Sequence, residues 1–170
     1  MGYTTNFEGE LSINPPLDEA QVAYINKFSE TRRMIRNARV LIDTEKYPDP
    51  LREAVGLELG EDGQYYVGSD NDSCYNGKDK SIIDSNMPSK HQPGLWCNWI
   101  VSDQGDRLMW NGGEKFYYYV RWLQYLINHF FVKWSRILNG DIKWQGEDIN
   151  DKGIITVVNN QVTTHTDDDI

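Results

Sequence analysis

Residues 113–138 carry the apolar spacing of a long amphipathic helix, and this stretch constrains the fold more than any other. Apolar side chains recur there at alternating steps of four and three residues, at Phe116, Val120, Leu123, Ile127, Phe130, Trp134 and Ile137. This spacing places them on one face of a helix. Asn111 and Glu114 have the spacing of a capping box, and Asn139-Gly140 is a typical C-terminal stop. We therefore predict one long helix, from about 113 to 138, at the centre of the hydrophobic core.

A second helix is predicted from about Asp18 to Arg36. Asp18 and Gln21 have capping-box spacing at its start. The apolar residues that follow recur at helical intervals, at Val22, Ile25 and Phe28. One face of this helix is therefore expected to pack on the core, while its C-terminal end is basic.

Two regions before the long helix have the patterns of β-strands. Residues 3–13 alternate polar and apolar side chains and stop before Pro15, which predicts a first strand. Residues 95–102 and 107–111 flank the turn-forming group 103–106, which predicts a β-hairpin. The first strand of this hairpin carries bulky side chains on both faces, so we expect it to be a central strand.

The C-terminal part predicts a three-stranded meander closed by a tight turn at Asn159-Asn160, over residues 142–147, 153–158 and 161–166. Residues 41–92 are rich in turn-forming residues and predict loops with one or two short strands. The order of elements predicts an α+β fold with a mostly antiparallel sheet and two main helices packed on one face. We expect a single domain over residues 1–166 and a frayed acidic tail at 167–170.

The charge of the chain limits the classes of partner. The formal net charge is −9 and the isoelectric point is about 4.7, so non-specific binding to nucleic acid or to an anionic membrane is disfavoured. The acidity favours either solubility alone or a basic protein partner. The N-terminal segment lacks the pattern of a signal peptide, and no apolar run is long enough for a membrane span, so we predict a cytoplasmic protein.

Sequence signatures of catalysis and cofactor binding are missing. The chain has no GxSxG, GxGxxG or GxxxxGK[ST] motif. The residues best able to bind zinc lack compact spacing; they are Cys74, His91, Cys97 and His129. The stretch 70–77 begins like a calcium loop, but Cys74 and Tyr75 stand where an oxygen ligand and the turn glycine belong. We therefore predict no metal site, no cofactor and no catalytic residue, so that an enzyme is the less favoured class.

Arg32, Arg33, Arg36 and Arg39 form a basic cluster at the end of the second predicted helix. Guanidinium groups bind phosphate and carboxylate bidentately, so the cluster is a candidate site for a nucleotide or phosphate. Arg36 and Arg39 are expected to be exposed, and Arg32 to be buried in an ion pair. The alternative is that these cations only complement the C-terminal end of the helix dipole and pair with nearby acids.

Tryptophans and carboxylates supply a second candidate site. All six tryptophans lie between residues 96 and 144, and Trp96 and Trp110 are predicted to be partly exposed anchors for a partner. Glu147, Asp148 and Asp151 cluster after a predicted strand and are candidates for contact with a basic partner. An acid–base pair or a metal-holding pair is the alternative for these carboxylates.

Several segments together resemble a family of small, mostly uncharacterised proteins from bacterial and phage genomes. These segments are GYTTNFEGEL, FSETRRM, LWCNW, GGEKFYYYVRWLQYLI and WQGEDINDKG. The resemblance covers nearly the whole chain and carries no activity with it. It implies a shared single-domain architecture and a phage or mobile-element setting.

The favoured hypothesis is a non-enzymatic acidic binding protein that engages a macromolecular partner, with a phage- or mobile-element-encoded inhibitor as its specific form. Absence of catalytic motifs and the acidic C-terminal region support it. The alternative is a small-ligand protein, binding or hydrolytic, in which the arginine cluster holds a nucleotide or phosphate.

Overall fold

The computed structural model describes residues 2–43, 45–69 and 79–166. The strands are β1 (Thr5–Asn14), β2 (Met34–Arg36), β3 (Ile82–Pro88), β4 (Trp99–Val101), β5 (Arg107–Trp110), β6 (Ile137–Gly146), β7 (Lys152–Val158) and β8 (Gln161–Thr166). The helices are α1 (Glu19–Glu30), α2 (Ala38–Leu41), α3 (Pro50–Ala54) and α4 (Tyr119–Leu126), with a 3-10 turn at Glu61–Gly63 and a π-helical turn at Ile127–Phe131. The predicted α+β class is confirmed. The stretch 70–77 and the tail 167–170 lie outside the described residues.

Two compact units divide the chain, one made of Met1–Val22 with Asn98–Ile170 and the other of Ala23–Cys97. The first unit contains a six-stranded sheet in the order β4-β5-β1-β6-β7-β8. Its neighbouring strands are all antiparallel. The predicted hairpin and meander are therefore confirmed. The prediction that β4 is a central strand is wrong, because β1 pairs with β5 and leaves β4 at the end of the sheet.

The two faces of the sheet differ in polarity because side chains alternate along each strand. One face carries buried apolar residues, among them Leu11, Leu108, Leu138, Ile142 and Ile155. The register aligns them across the sheet, with Leu11 opposite Leu108 and Ile142 opposite Ile155. The other face carries exposed polar side chains, among them Glu8, Glu10, Lys143 and Gln145. The core of the first unit therefore lies on one side of the sheet only.

The single long helix predicted over 113–138 is wrong, because α4 and the π-helical turn occupy only its middle. Lys115 and Tyr118 have φ values of 61° and 58°, and Ser135 has a φ of 59°. Such left-handed residues end a right-handed helix on either side. From Ile137 onward the chain pairs with β1 as a strand. Pairing between strands therefore overrides the helical spacing of the last predicted turn.

The predicted boundary signals of that helix have other roles. Asn111 Oδ1 accepts a hydrogen bond from Gly113 N at 2.7 Å within a turn. Asn139 and Gly140 lie inside β6, where Gly140 is opposite Leu11. Residues that are typical of a helix cap and a helix stop therefore form a turn and part of a strand here.

The start of α1 is confirmed and its predicted end is wrong. Asp18 N donates to Gln21 Oε1 at 3.0 Å, and Gln21 N donates to Asp18 Oδ1 at 2.8 Å, which is a reciprocal capping box. The helix ends at Glu30. Thr31 Oγ1 donates to the carbonyl of Lys27 at 2.7 Å, a bond that competes with continued helix. The chain then forms β2, which pairs with β3 in a two-stranded sheet.

The second unit, residues 23–97, is built from short elements around small apolar clusters. Leu41, Tyr47 and Tyr66 form one buried cluster. Tyr24 is fully buried and its hydroxyl donates to the carbonyl of Tyr65 at 2.8 Å. Among the described residues of 42–92, loops connect α3, the 3-10 turn and β3.

Candidate functional site

The loop between β6 and β7 gathers the predicted carboxylates at one end of the sheet. We call residues Glu147–Asp151 the acidic loop. Its backbone is closed by hydrogen bonds from Gly146 N to the Asp151 carbonyl at 2.7 Å and from Asp151 N to the Asp148 carbonyl at 2.9 Å. Asn150 N also donates to Asp148 Oδ1 at 2.8 Å. The loop is therefore a tight turn with a defined conformation.

The N-terminal residues bind this loop from the neighbouring strand. Tyr3 precedes β1, which pairs with β6, so its phenol reaches the loop that follows β6. The Tyr3 hydroxyl donates to Asp151 Oδ2 at 2.7 Å and accepts from Asp148 N at 3.1 Å. Thr4 N donates to Glu147 Oε1 at 2.6 Å. All three predicted carboxylate residues are therefore connected to the start of the chain.

Two residues of β6 hold the loop from its other side. Trp144 Nε1 donates to Asp151 Oδ1 at 3.0 Å. Gln145 Nε2 lies 3.1 Å from the carbonyl oxygen of Gly146 and 3.2 Å from that of Asp148. Each carboxylate oxygen of Asp151 therefore accepts one hydrogen bond, from the Tyr3 hydroxyl or from the Trp144 indole N–H. This arrangement fixes Asp151 and leaves Glu147 and Asp148 as the more exposed carboxylates of the loop.

The charge of the loop changes the acidity of two neighbouring phenols. The hydrogen bond from Tyr3 to the Asp151 carboxylate raises the pKa of the Tyr3 hydroxyl above its ordinary value. Burial, with smaller contributions from Asp151 and Tyr3, raises the pKa of Tyr119 to about 12. Both hydroxyls are therefore protonated at neutral pH, and Tyr3 remains a hydrogen-bond donor.

Exposed apolar and aromatic side chains lie beside these carboxylates. Ile149 is 76% exposed at the tip of the acidic loop. Tyr117 is 46% exposed, and its hydroxyl accepts from Tyr3 N at 3.0 Å. We call this set the acidic–aromatic surface; it consists of Tyr3, Tyr117, Glu147, Asp148 and Ile149. It combines the residue types that anchor and orient a protein partner.

Sequence reasoning placed the carboxylates but missed Tyr3, Tyr117 and Ile149. The signal for Ile149 is present in the sequence, since an isoleucine between Asp148 and Asn150 in a turn cannot easily be buried. Tyr3 and Tyr117 carry no such local signal. They join the surface only because β1 pairs with β6 and because Tyr117 reaches the N-terminal segment.

The two tryptophans predicted as anchors have different environments. Trp96 is 41% exposed and belongs to the second unit. Trp110 is half-buried; its Nε1 donates to the Gly113 carbonyl at 3.1 Å and its ring lies 5.4 Å from Phe7. Trp110 is therefore held within the first unit. A partner-binding role of either ring stays a prediction.

Arg36 is buried, so the prediction that it is exposed is wrong. Its Nη1 lies 2.8 Å from Asp79 Oδ2 and 2.7 Å from Ser81 Oγ. The guanidinium also lies 4.7 Å from the ring centroid of Tyr66. Burial of Asp79 opposes its ionisation, but hydrogen bonds from Ser81 and Arg36 outweigh it and lower the pKa of Asp79. Arg36 and Asp79 thus form an internal ion pair of the second unit.

The other arginines of the cluster do not share this environment. Arg32 is half-buried, and its Nε donates to the Ser85 carbonyl at 2.8 Å. The partner of this nitrogen is therefore a backbone oxygen and not the predicted carboxylate. Arg33 is buried and its Nη2 donates to the Gln64 carbonyl at 2.7 Å. Arg39 is exposed, as predicted. The small-ligand hypothesis stays a prediction in which Arg39 is the accessible member.

Two hollows in the first unit are lined by residues outside the arginine cluster. One, of about 630 Å³, lies on the polar face of the sheet and includes Glu8, Lys143 and Lys152 in its lining. The other, of about 400 Å³, includes Gln124 and Asn128 of the helical segment in its lining. Neither hollow is lined by a residue of the arginine cluster, on which the nucleotide hypothesis depends.

The described residues form neither a cluster of metal ligands nor a membrane-spanning helix. No group of three or more His, Cys, Asp or Glu side chains in that part of the chain is arranged to hold a metal ion. Within the same residues, every helix is too short or too polar to cross a membrane.

Comparisons with known proteins do not constrain the function. The family resemblance inferred from sequence segments such as LWCNW stays a prediction. No protein-family model, no curated protein and no solved structure matches the chain.

Proposed function

We propose that this protein is a non-enzymatic binding protein that engages a basic protein partner through the acidic–aromatic surface. The observation that supports this function best is the exposure of Ile149, whose side chain is 76% accessible on a hydrogen-bonded loop. An apolar anchor on an ordered loop loses little conformational entropy on binding. Ile149 is therefore suited to be the centre of a contact.

The carboxylates beside Ile149 suit a partner that carries Arg or Lys. Glu147 and Asp148 each use one carboxylate oxygen for a backbone N–H of the same unit. The described residues supply no donor for the second oxygen of either group. A guanidinium or ammonium group can bind there as a charge-assisted hydrogen-bond donor. The rings of Tyr3 and Tyr117 add contact area for the apolar stem of such a side chain.

We further propose an inhibitor of phage or mobile-element origin as the specific form of this function. The net charge of −9 steers the chain toward basic surfaces. An acidic cover on a basic surface competes with the phosphate groups that such a surface binds. The resemblance to bacterial and phage proteins supports the setting.

The test is a double substitution, Glu147→Gln with Asp148→Asn, which keeps both hydrogen-bond acceptors and removes both charges. The matched control is Asp103→Asn with Glu114→Gln, which removes the same charge from exposed positions outside the acidic loop. The tagged wild type and both variants are used to capture proteins from nuclease-treated host lysate. We expect a protein that the wild type and the control retain and that the loop variant loses.

Affinity measured with that purified protein then tests the surface directly. We expect the loop variant and Ile149→Ala each to weaken binding about tenfold or more, which corresponds to about 1.4 kcal/mol. Val158→Ala, at a position that is 57% exposed, is the control for Ile149. Equal losses in the loop variant and its control would mean that net charge alone drives binding, and the proposed surface would be wrong. A wild type that retains no such protein would also contradict the proposal.

A further inference from the structure

The sheet of the first unit ends in two strands of very different exposure. β4 contains Trp99 and Val101, which are 0% and 3% exposed. β8, at the other end, is exposed at every position except Val162, which is half-buried. β8 pairs with β7 over six residue pairs without a shift in register. The described residues include no further strand beyond β8.

The turn at Asn159-Asn160 determines which backbone groups of β8 face outward. These residues have φ values of 47° and 69°, as in a two-residue hairpin turn, with Val158 opposite Gln161. The residues that flank such a turn exchange hydrogen bonds, and the exchange alternates along an antiparallel pair. Gln161 and Thr163 therefore direct their N–H and C=O groups toward β7. Val162 and Thr164 direct theirs away from the sheet.

β8 lacks the features that usually protect an outer strand from pairing. Exposed edges commonly carry Lys, Pro, an inward charge or a bulge. The sequence of β8 is Gln-Val-Thr-Thr-His-Thr, with no proline and no lysine. Its threonines and valine are residues that favour extended pairing. The strand therefore contains no Lys, Pro, Asp or Glu that would oppose pairing with another strand.

We propose that β8 pairs antiparallel with β8 of a second copy of this chain, with Thr164 opposite Thr164 of the partner subunit. This register makes Thr164 a hydrogen-bonded pair, because its backbone groups point outward in both copies. A two-fold axis between the two residues makes the contact self-complementary. The two sheets then continue as one across the interface.

A second copy fits this edge better than an unrelated charged segment. In the proposed register His165 stands opposite Thr163 of the partner subunit, so no charged pair of like sign is created within the strand. Thr–Thr pairs across antiparallel strands are favourable. The net charge of −9 opposes association at long range, but screening at physiological salt limits this effect to about 8 Å. The dimer does not depend on the function proposed for the acidic–aromatic surface.

Sedimentation equilibrium of the full chain tests the dimer. We expect the apparent mass to rise with concentration from the monomer value of 19.8 kDa toward twice that value. Thr164→Lys and Thr164→Glu should each abolish the rise, because each places like charges opposite one another at the two-fold axis. An equimolar mixture of the two variants should restore it, because Lys then faces Glu. Asn6→Lys, at an exposed position of β1, is the control and should leave the dimer intact.

Two outcomes would overturn the inference. A wild type that remains at the monomer mass at its highest soluble concentration shows that the edge does not pair. If Thr164→Lys and Thr164→Glu each dimerise as well as the wild type does, the dimer uses another surface. Circular dichroism and thermal unfolding of each variant distinguish loss of the dimer from loss of the fold.

Discussion

Asp151 orders the acidic loop because its two carboxylate oxygens bind rings from different parts of the chain. Tyr3 donates to one oxygen at 2.7 Å and Trp144 to the other at 3.0 Å. Hydrogen bonds to an ionised acceptor are about twice as strong as neutral ones. We infer that Asp151 positions the loop, and that Glu147 and Asp148 are the carboxylates that contact a partner.

Tyr3→Phe should loosen the acidic loop without unfolding the sheet. The phenol accepts from Asp148 N at 3.1 Å, so its removal leaves that amide without its bond. We expect faster hydrogen exchange at the Asp148 amide, measured by NMR, with little change at β6 and β7. Tyr118→Phe, at a tyrosine that is 55% exposed, is the control. An unchanged exchange rate in Tyr3→Phe would contradict the role assigned to Tyr3.

Tyr119 should ionise at a higher pH than an ordinary tyrosine. Its pKa of about 12 lies above the ordinary value of 10.0, mainly because burial disfavours the phenolate. A folded-state pKa above the unfolded one contributes stability that is complete below pH 10.0 and is lost as pH rises toward about 12. Titration of tyrosinate absorbance should therefore lose a step near pH 12 in Tyr119→Phe. A step that persists in this variant belongs to another tyrosine.

Arg36→Ala should destabilise the protein strongly, whereas Arg39→Ala should not. Removal of Arg36 leaves the half-buried carboxylate of Asp79 without its cation. Breaking a buried ion pair costs roughly 3–5 kcal/mol, and the lower end applies because Asp79 is 19% exposed. Arg39 is exposed, and we expect a change below about 0.5 kcal/mol. Urea unfolding of both variants checks this, and equal small effects would restore Arg36 as a candidate ligand residue.

At the scale of elements, β1 decides the arrangement of the first unit. It lies between β5 and β6, so it joins the hairpin to the meander. Gly9 within β1 has a φ of 110°. A Cβ atom there would lie 2.5 Å from the carbonyl oxygen of Asp141 on β6. The close approach of these strands therefore requires glycine at this position.

Gly9→Ala should cost more than alanine at a glycine with open surroundings. The substitution combines an unfavourable φ with a backbone clash, so we expect a loss of roughly 3 kcal/mol in the free energy of unfolding. Gly112 has a φ of 84°, but a Cβ atom there would have no neighbouring heavy atom within 4 Å. Gly112 is therefore the matched control. Gly112→Ala should lose only about 1 kcal/mol. Similar losses for both in urea unfolding would mean that β1 and β6 can move apart.

Across the whole molecule, acidic residues exceed basic ones by 26 to 17. Such an excess acts at long range on the rate of encounter with a basic partner. The contribution that we propose for the acidic loop is local and depends on its geometry. The two effects can therefore be separated by their dependence on salt.

Association with the partner captured by the wild type should slow as salt increases. We expect the association rate constant to fall about tenfold or more between about 0.05 and 0.5 M salt, with a smaller change in dissociation. Glu147→Gln with Asp148→Asn should reduce this salt dependence and also speed dissociation. Stopped-flow or surface-based kinetics measure both constants. A salt-independent association rate would argue against electrostatic steering.

Local patterns determined much of this protein from sequence alone. The capping box of Asp18 and Gln21, the hairpin around residues 103–106 and the Asn159-Asn160 turn all depend on bonds between near neighbours. Runs of β-prone residues between turn signals likewise identified the meander, because β-branched side chains favour extended backbone. The carboxylates of the acidic loop could be selected from the sequence because a turn between two strands keeps them at the surface.

Tertiary structure decided what depends on residues far apart in the chain. Helical spacing continued to Ile137, but pairing with β1 made that segment a strand. Arg36 is buried because Asp79 compensates its charge. No local sequence pattern predicts that Asp79 is its partner. The Tyr3 and Asp151 side chains meet across 148 positions of sequence. Contacts between residues so far apart in sequence stabilise the protein only after the intervening chain has folded. Sequence patterns report preferences between near neighbours, so they cannot specify such contacts.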